Sequence, residues 1–447
     1  MRIPSAILAT STLCCAALTG CGGAIAGNQP ALGLRATQPG TLGAHGATRG
    51  TIQHVVIIVQ ENRSLNNLFM GFPGAQTAST GLLCNGMSVP LHAVPLEANY
   101  DVGHGLQDFL AAYNNGVGGC FNRERYIGAP PKPPFFNYAY VPQSETAPYW
   151  AMASAYTLAD ETFQSNIDAS FTAHQYLIAG QAQSSVDIPN LQPWGCDAPP
   201  GQTIKTITPQ RTIGPHQSTC FTYPTLANEL DAAGVTWRYY APTTTPLQLG
   251  AIWSAFDASS YVRNGPDWAA DVISPETNIL SDVAAGTLKN VTWVVPNLAH
   301  SDHAESLSSS GPMWVASVVD AIGTSPFWNS TAIFVTWDDW GGWFDPQVPA
   351  YVDYDGLGFR VPLIAISPYA RVNHVAHTHY EFGSILKFIE NNWKLARLAP
   401  SDTRAAPFGK DVFNFTQPPT PFSTFAPRGT AARILHEPRS YGAPDDE

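Results

Sequence analysis

The sequence predicts an α/β fold with a mainly parallel central sheet. Two observations carry that prediction. Short runs rich in Val, Ile and aromatic residues recur without strict polar alternation, as strands covered on both faces do. Between them lie segments with apolar residues at helical spacing that close on glycine. A third observation concerns function, because three of the runs end abruptly in polar side chains.

The runs are His54–Val59 (HVVIIV), Val235–Tyr240 (VTWRYY), Val291–Val295 (VTWVV), Thr331–Trp337 (TAIFVTW) and Val361–Ser367 (VPLIAIS). PTLANELDAAG and GPMWVASVVDAIG supply the clearest helices, and AHQYLIAG a shorter one. Strands alternating with helices make the class α/β. No internal repeat or strong linker interrupts residues 50 to 395, which therefore read as one domain with loop insertions.

Composition bounds what the domain can do. With 447 residues, 44% hydrophobic and 13% charged, the chain can bury a large core. A formal charge of −12 gives no basic footprint, so nucleic acid is not an expected partner.

The N-terminus reads as an export signal. Arg2 precedes an apolar core too short to span a bilayer stably, followed by small residues. Leu18-Thr19-Gly20-Cys21 resembles the bacterial lipobox, which implies cleavage after residue 20 and lipidation of Cys21; the alternative is an ordinary signal cut a few residues later. Residues 21–50 would be a flexible tether. The expected organisation is then a signal over 1–20, the tether, a catalytic domain over 51–415 and a Pro-rich tail over 416–447. The destination is the cell envelope, periplasmic or outer-membrane-anchored, or the exterior. Beyond Cys21 four cysteines remain, an even number suited to an oxidising compartment. Local pairing favours Cys84 with Cys120 and Cys196 with Cys220. The lack of C-x-x-C and H-E-x-x-H argues against a classical zinc cage.

Three strand ends carry ligand chemistry: Gln60-Glu61-Asn62, the segment PNLAHSDH, and Asp338-Asp339-Trp340-Gly341-Gly342. A parallel sheet brings its carboxyl ends to one edge, so these segments should converge. Glu61, Asp338 and Asp339 would repel one another there unless a cation sits among them. Asn62 adds an oxygen without charge. One oxygen-ligated divalent ion follows, with Mg²⁺, Ca²⁺ or Mn²⁺ ahead of Zn²⁺. Taken singly, Glu61 would pair with Arg63 and the two aspartates would cap a helix; their shared placement is what favours a metal. Trp337, Trp340, Trp343 and Phe344 read as packing rather than a cation cage.

Several motifs in order now identify a family. QENRS after a buried strand, TWDDWGGWFD, GFRVPLIAISPYAR, HTHYEFGSILKFIENNW, SNIDASFTAHQYLIAG and LANELDAAGVTWRYYAP resemble the bacterial phosphoesterases that include secreted phospholipases C and metal-dependent acid phosphatases. The resemblance covers residues 51 to 395. It implies an alkaline-phosphatase-like fold, a three-layer α/β/α sandwich. It also implies that Glu61, Asn62, Asp338 and Asp339 are metal ligands, with Ser170 as both ligand and nucleophile. His104 and His303 would line the phosphate pocket as catalytic and substrate-binding groups, and His377 would bind substrate.

Such a set suits attack by a metal-activated serine through a phosphoserine intermediate. The chain departs from the family pattern at Asp338-Asp339 (commonly Asp-Glu), Asp345-Pro346 (Asp-His), Tyr380-Glu381-Phe382 (Tyr-Asp-His) and Leu65-Asn66-Asn67 (aromatic, acid, His). Only about 50 residues follow Trp393, too few for the C-terminal β-domains usual in the phospholipases. The expected activity is therefore phosphate monoester hydrolysis of the acid-phosphatase type. Phospholipase C action on phosphocholine-type diesters is the alternative, and an inactive envelope-binding lipoprotein is the alternative from another class.

Overall fold

The computed structural model describes residues 50–189, 192–242 and 253–439, so the signal, Cys21 and nearly all of the tether lie outside the described residues. All described residues belong to a compact unit spanning His45–Glu447.

Eight strands form the central sheet: β1 His54–Gln60, β2 Thr157–Ala159, β3 Trp237–Tyr240, β4 Val272–Ile273, β5 Val291–Val294, β6 Thr331–Trp337, β7 Leu363–Ile366 and β8 His374–Ala376. Their order is β4-β3-β5-β1-β6-β7-β2-β8. Only β7 runs against the rest, paired antiparallel to both β6 and β2. β1 lies at the centre, parallel to β5 on one side and to β6 on the other, with all seven residues buried. That double coverage explains why HVVIIV shows no polar alternation.

Helices cover both faces. One layer contains α3 Ser170–Ala179, α4 Leu226–Ala233 and α7 Phe382–Trp393; the other contains α2 Ala147–Ala155, α5 Asn278–Ala284, α6 Gly311–Gly323 and α8 Thr430–Leu435. A short helix, α1 Leu65–Phe69, follows β1. Strand parity sorts the layers. Phe334 on β6 meets Phe388 of α7, with ring centroids 5.3 Å apart. Trp337, an odd number of residues further on, meets Tyr149 of α2 at 4.9 Å. Trp293 of β5 shares the face of Phe334 and donates its indole N–H to Leu177 O of α3 at 3.2 Å. The result is a three-layer α/β/α sandwich. Large side chains meet on each face, and each such burial is worth about 1.5–3 kcal/mol.

Gly180 and Gly234 end their helices in the left-handed conformation, at φ 65 and φ 67, as the sequence pattern predicts. Gly323 differs. It lies inside α6, where a Cβ would collide with the Phe422 ring, so that glycine serves close packing rather than a cap. Residues 420–437 fold back over α6: Trp328 donates to Thr420 O at 2.8 Å, and Phe425 N and Ala426 N donate to the Asp320 carboxylate at 2.8 Å each. Both disulfides pair locally, Cys84 with Cys120 and Cys196 with Cys220. No helix among the described residues is long and apolar enough to cross a membrane.

Candidate active site

β1 and β6 are neighbours with Gln60 opposite Trp337, so Glu61 and Asp338 leave the sheet side by side at its carboxyl edge. Asp338 N donates to Gln60 O at 3.0 Å, and Glu61 N to Ser301 O at 2.8 Å. Asn62 turns into the left-handed region at φ 58, which points its backbone N–H at Asp338 Oδ1, 3.0 Å away. The two glycines after the aspartates make this turn possible. Gly341 has φ 59, and a Cβ there would stand 2.6 Å from the carbonyl carbon of Asn62 and closer still to its oxygen.

Ser170 is the first residue of α3, with Ala169 as the cap. Its hydroxyl reaches two side chains from the sheet edge. It lies 3.3 Å from Asn62 Oδ1 and 3.3 Å from Asp339 Oδ2. His104 Nδ1 donates to Val102 O at 2.7 Å, so its Nε2 accepts from Asn62 Nδ2 at 2.9 Å, and that nitrogen is 3.8 Å from Asp339 Oδ2. The amide of Asn62 is thereby oriented with nitrogen toward His104 and oxygen toward Ser170. Asp339 Oδ1 accepts from Gly341 N at 2.7 Å.

One turn further along α3, His174 stands on the same side as Ser170. Its Nε2 is 3.1 Å from Glu61 Oε1 and 3.7 Å from Asp338 Oδ2. Burial pushes the His174 imidazole down to about 4, so it is neutral and keeps a lone pair for a ligand. Glu61, His174 and Asp338 each offer one donor atom within 4.8 Å of the others.

Glu61 and Asp338 thus meet in the interior beside His174, while Asp339 stands next to Ser170 and His104, and all three carboxylates are at 0% exposure. Arg63, also buried, does not balance them, since its guanidinium goes to Asp302 O and Leu96 O at 2.8 Å each. Asp338 Oδ2 is buried with no hydrogen-bond partner. Hard oxygens, one neutral imidazole and an orphaned carboxylate oxygen fit a divalent cation. Beside the all-oxygen set expected from the sequence, His174 offers a nitrogen donor to the same space.

The structure brings Glu61, Asn62, His104, Ser170, Asp338 and Asp339 together. His303 flanks them, its ring centroid 6.5 Å from that of His104, with Nδ1 donating to Ala304 O. His377 meets a different group. Its Nδ1 is 2.8 Å from Asp160 Oδ1, and its side chain is half exposed. Pro346 and Phe382 stand where the resemblance leads one to expect histidines, and the acids preceding them are tied to arginines: Arg360 donates to Asp345 at 2.9 Å and Arg404 to Glu381 at 2.8 Å. Sequence reasoning missed His174. The available signal was its i, i+4 spacing from Ser170, which sets both on one helix face.

A model of the Phosphoesterase family matches residues 52–396. Similar proteins include the non-hemolytic phospholipase C of Burkholderia pseudomallei, 24% identical over 82% of this chain and 59% of that one. Phospholipase C A of Mycobacterium tuberculosis is 24% identical over 82% of this chain and 78% of that one. The hemolytic phospholipase C of Pseudomonas aeruginosa is 25% identical over 81% and 56%. The chain spans little more than half the length of two of these relatives. Among solved structures, a protein in the alkaline phosphatase superfamily from Vibrio parahaemolyticus aligns with TM-score 0.39 and 10% identity, over 81% of this chain and 72% of that one. The family match takes in the β1 turn, the start of α3 and the paired aspartates, and the chain belongs to the phosphoesterase family.

Proposed function

We propose that this protein hydrolyses phosphate esters, with Ser170 as the nucleophile. The observation that carries the proposal is the position of the Ser170 hydroxyl, 3.3 Å from both Asn62 Oδ1 and Asp339 Oδ2 at the start of a buried helix. The first-turn N–H groups of α3 lack partners within the helix and would be available to an incoming phosphate. Glu61, Asn62, His174, Asp338 and Asp339 would hold one divalent ion. When bound, that ion supplies Lewis acidity, which lowers the pKa of a hydroxyl and offsets phosphate charge.

Ser170 Oγ bonds to phosphorus as the ester bond breaks, giving a phosphoserine that water then hydrolyses. The departing oxygen needs a proton. His104 Nε2 is engaged by the Asn62 amide, so protonation falls to His303, whose Nδ1 is held by Ala304 O and whose Nε2 would carry the proton. Ser170 and the residues it touches are buried, with at most 1% exposure, which suits a small phosphate monoester. The second reading, phospholipase C action on a phosphocholine-type diester, draws on the names of the relatives. The export signal, the two disulfides and the lipobox-like Cys21 support an envelope location with a lipid anchor.

The test uses p-nitrophenyl phosphate and p-nitrophenyl phosphorylcholine side by side. Hydrolysis should disappear with chelator, return with a divalent ion, and be absent in Ser170→Ala. The preferred ester separates the two readings. Activity that persists through both chelation and Ser170→Ala would refute the mechanism, and inactivity on every ester with every divalent ion would favour the binding lipoprotein.

A further inference from the structure

The loop after β5 buttresses the candidate site through three successive carbonyls. His300 O accepts from Gln60 Nε2 at 2.8 Å, Ser301 O from Glu61 N at 2.8 Å, and Asp302 O from Arg63 Nε at 2.8 Å. The loop therefore sets the position of Glu61 and Asn62 as well as that of His303.

Tyr149 Oη holds the loop by donating to Asp302 Oδ2 at 2.6 Å and Ser310 Oγ by donating to Ala299 O at 2.6 Å, and a further hold comes from a side chain at the far end of the chain. His300 is 5% exposed and lies flat on Trp314 of α6, 5.3 Å between centroids and 10° between planes. Its Nε2 donates to Glu437 Oε2 at 3.0 Å. On the other edge, Nδ1 accepts from Asn297 Nδ2 at 3.3 Å, and that amide also donates to buried Glu276 at 2.5 Å. Asn297 Oδ1 in turn accepts His300 N at 3.1 Å. The imidazole is thus fixed at both nitrogens and over its face. Glu437 reaches it because residues 420–437 are fastened along α6 through Thr420, Phe425, Ala426 and buried Ile434.

We propose that Glu437 is a positioning residue for the site: its carboxylate locks His300, and with it the carbonyls that seat Gln60, Glu61 and Arg63. The effect on turnover rests on the hydrolase reading above, whereas the mechanical coupling does not. A displaced loop shifts Glu61 and Asn62 relative to Ser170, and misplacements of this kind lower turnover more than binding.

The experiment compares Glu437→Ala, Glu437→Gln and His300→Asn in the full chain. Glu437→Ala should lower kcat about tenfold with KM unchanged within twofold. Glu437→Gln should retain most activity, because its amide oxygen still accepts the His300 N–H. Combining Glu437→Ala with His300→Asn should be no worse than His300→Asn alone, as expected for residues acting in series. Amide exchange, read by NMR or mass spectrometry, should accelerate at Glu61 and over residues 298–303 in Glu437→Ala. Exchange that accelerates only within residues 428–437, or not at all, would overturn the proposal, as would an unchanged kcat in an active enzyme. Should the wild-type chain prove inactive on every ester, exchange at the Glu61 amide still decides the coupling.

Discussion

Gly341→Ala tests whether the turn at Asn62 depends on its neighbour having no side chain. Two costs act at this position. Gly341 has φ 59, where an L-residue other than glycine costs about 1–2 kcal/mol. The added Cβ would also stand 2.6 Å from the Asn62 carbonyl carbon, against an ordinary contact of 3.4 Å or more, so backbone must move by about 1 Å. Overpacking of that kind adds about 1–3 kcal/mol, for a total of about 2–5 kcal/mol. Gly286→Ala is the control. Gly286 has φ 73 with nothing within 4 Å of its Cβ position, so it should show the backbone cost alone, about 1–2 kcal/mol. Urea unfolding of both variants gives the difference. Activity should diverge further, because shifting Asn62 disturbs its bonds to Asp338 and Ser170, and a displacement near 1 Å can cost about 100-fold. Equal destabilisation of the two variants, with turnover of Gly341→Ala untouched, would refute the reasoning.

Two further outcomes follow from groups away from the site. Burial, reinforced by Asp197, pushes the Asp257 carboxyl up to about 8, with Arg263 pulling the other way. Between roughly pH 4 and 8 the folded chain keeps a proton that the unfolded chain has shed, so stability falls as pH rises through that window. Asp257→Asn should remove this slope and exceed the wild type in stability above pH 8 by a few kcal/mol or about that order; parallel stability curves for the two proteins would contradict it. Replacing Cys84 and Cys120 with serine releases a loop of sequence separation 36, and replacing Cys196 and Cys220 one of separation 24; each should cost up to about 3.5–4 kcal/mol, read from urea midpoints, with the longer loop costing only about 0.4 kcal/mol more.

The parts of the fold legible in the sequence are those with the longest uniform signal. β1 and β6 are seven residues each and buried throughout, so long, mainly apolar runs mark them. β2, β4 and β8 have two or three residues, too few for any period to appear, and they take their place by pairing at the sheet margins. The reversed direction of β7 has no local mark either, since Val361–Ser367 is as apolar as its parallel neighbours. The same contrast holds at the site. Glu61, Asn62, Asp338 and Asp339 stand out because polar residues abruptly end apolar strands. His174 sits inside a helix that is buried all round, where a histidine attracts no notice until Glu61 and Asp338 are seen beside it. The role of residues 420–437 was illegible for another reason. Proline and polar composition describes a tail equally well, and only the contacts with Asp320, Trp328 and His300 show what it touches.

The charge at the site has a consequence that does not depend on turnover. Glu61, Asp338 and Asp339 are fully buried, and the adjacent His174 is neutral, so without a cation their mutual repulsion weakens the fold. An ion that binds the folded chain and not the unfolded one stabilises it by RT ln(1 + [ion]/Kd), about 2.7 kcal/mol at a hundredfold excess over Kd. Divalent ion should therefore raise the unfolding temperature in a concentration-dependent way, and chelator should reverse the rise. Asp339→Asn separates this from nonspecific salt effects. By removing one of the three charges it should make the metal-free chain more stable than the wild type while shrinking the response to ion. If the metal-free variant were less stable and responded to ion as strongly as the wild type, the three carboxylates would not be sharing a cation, and the nucleophile beside them would lose its activator.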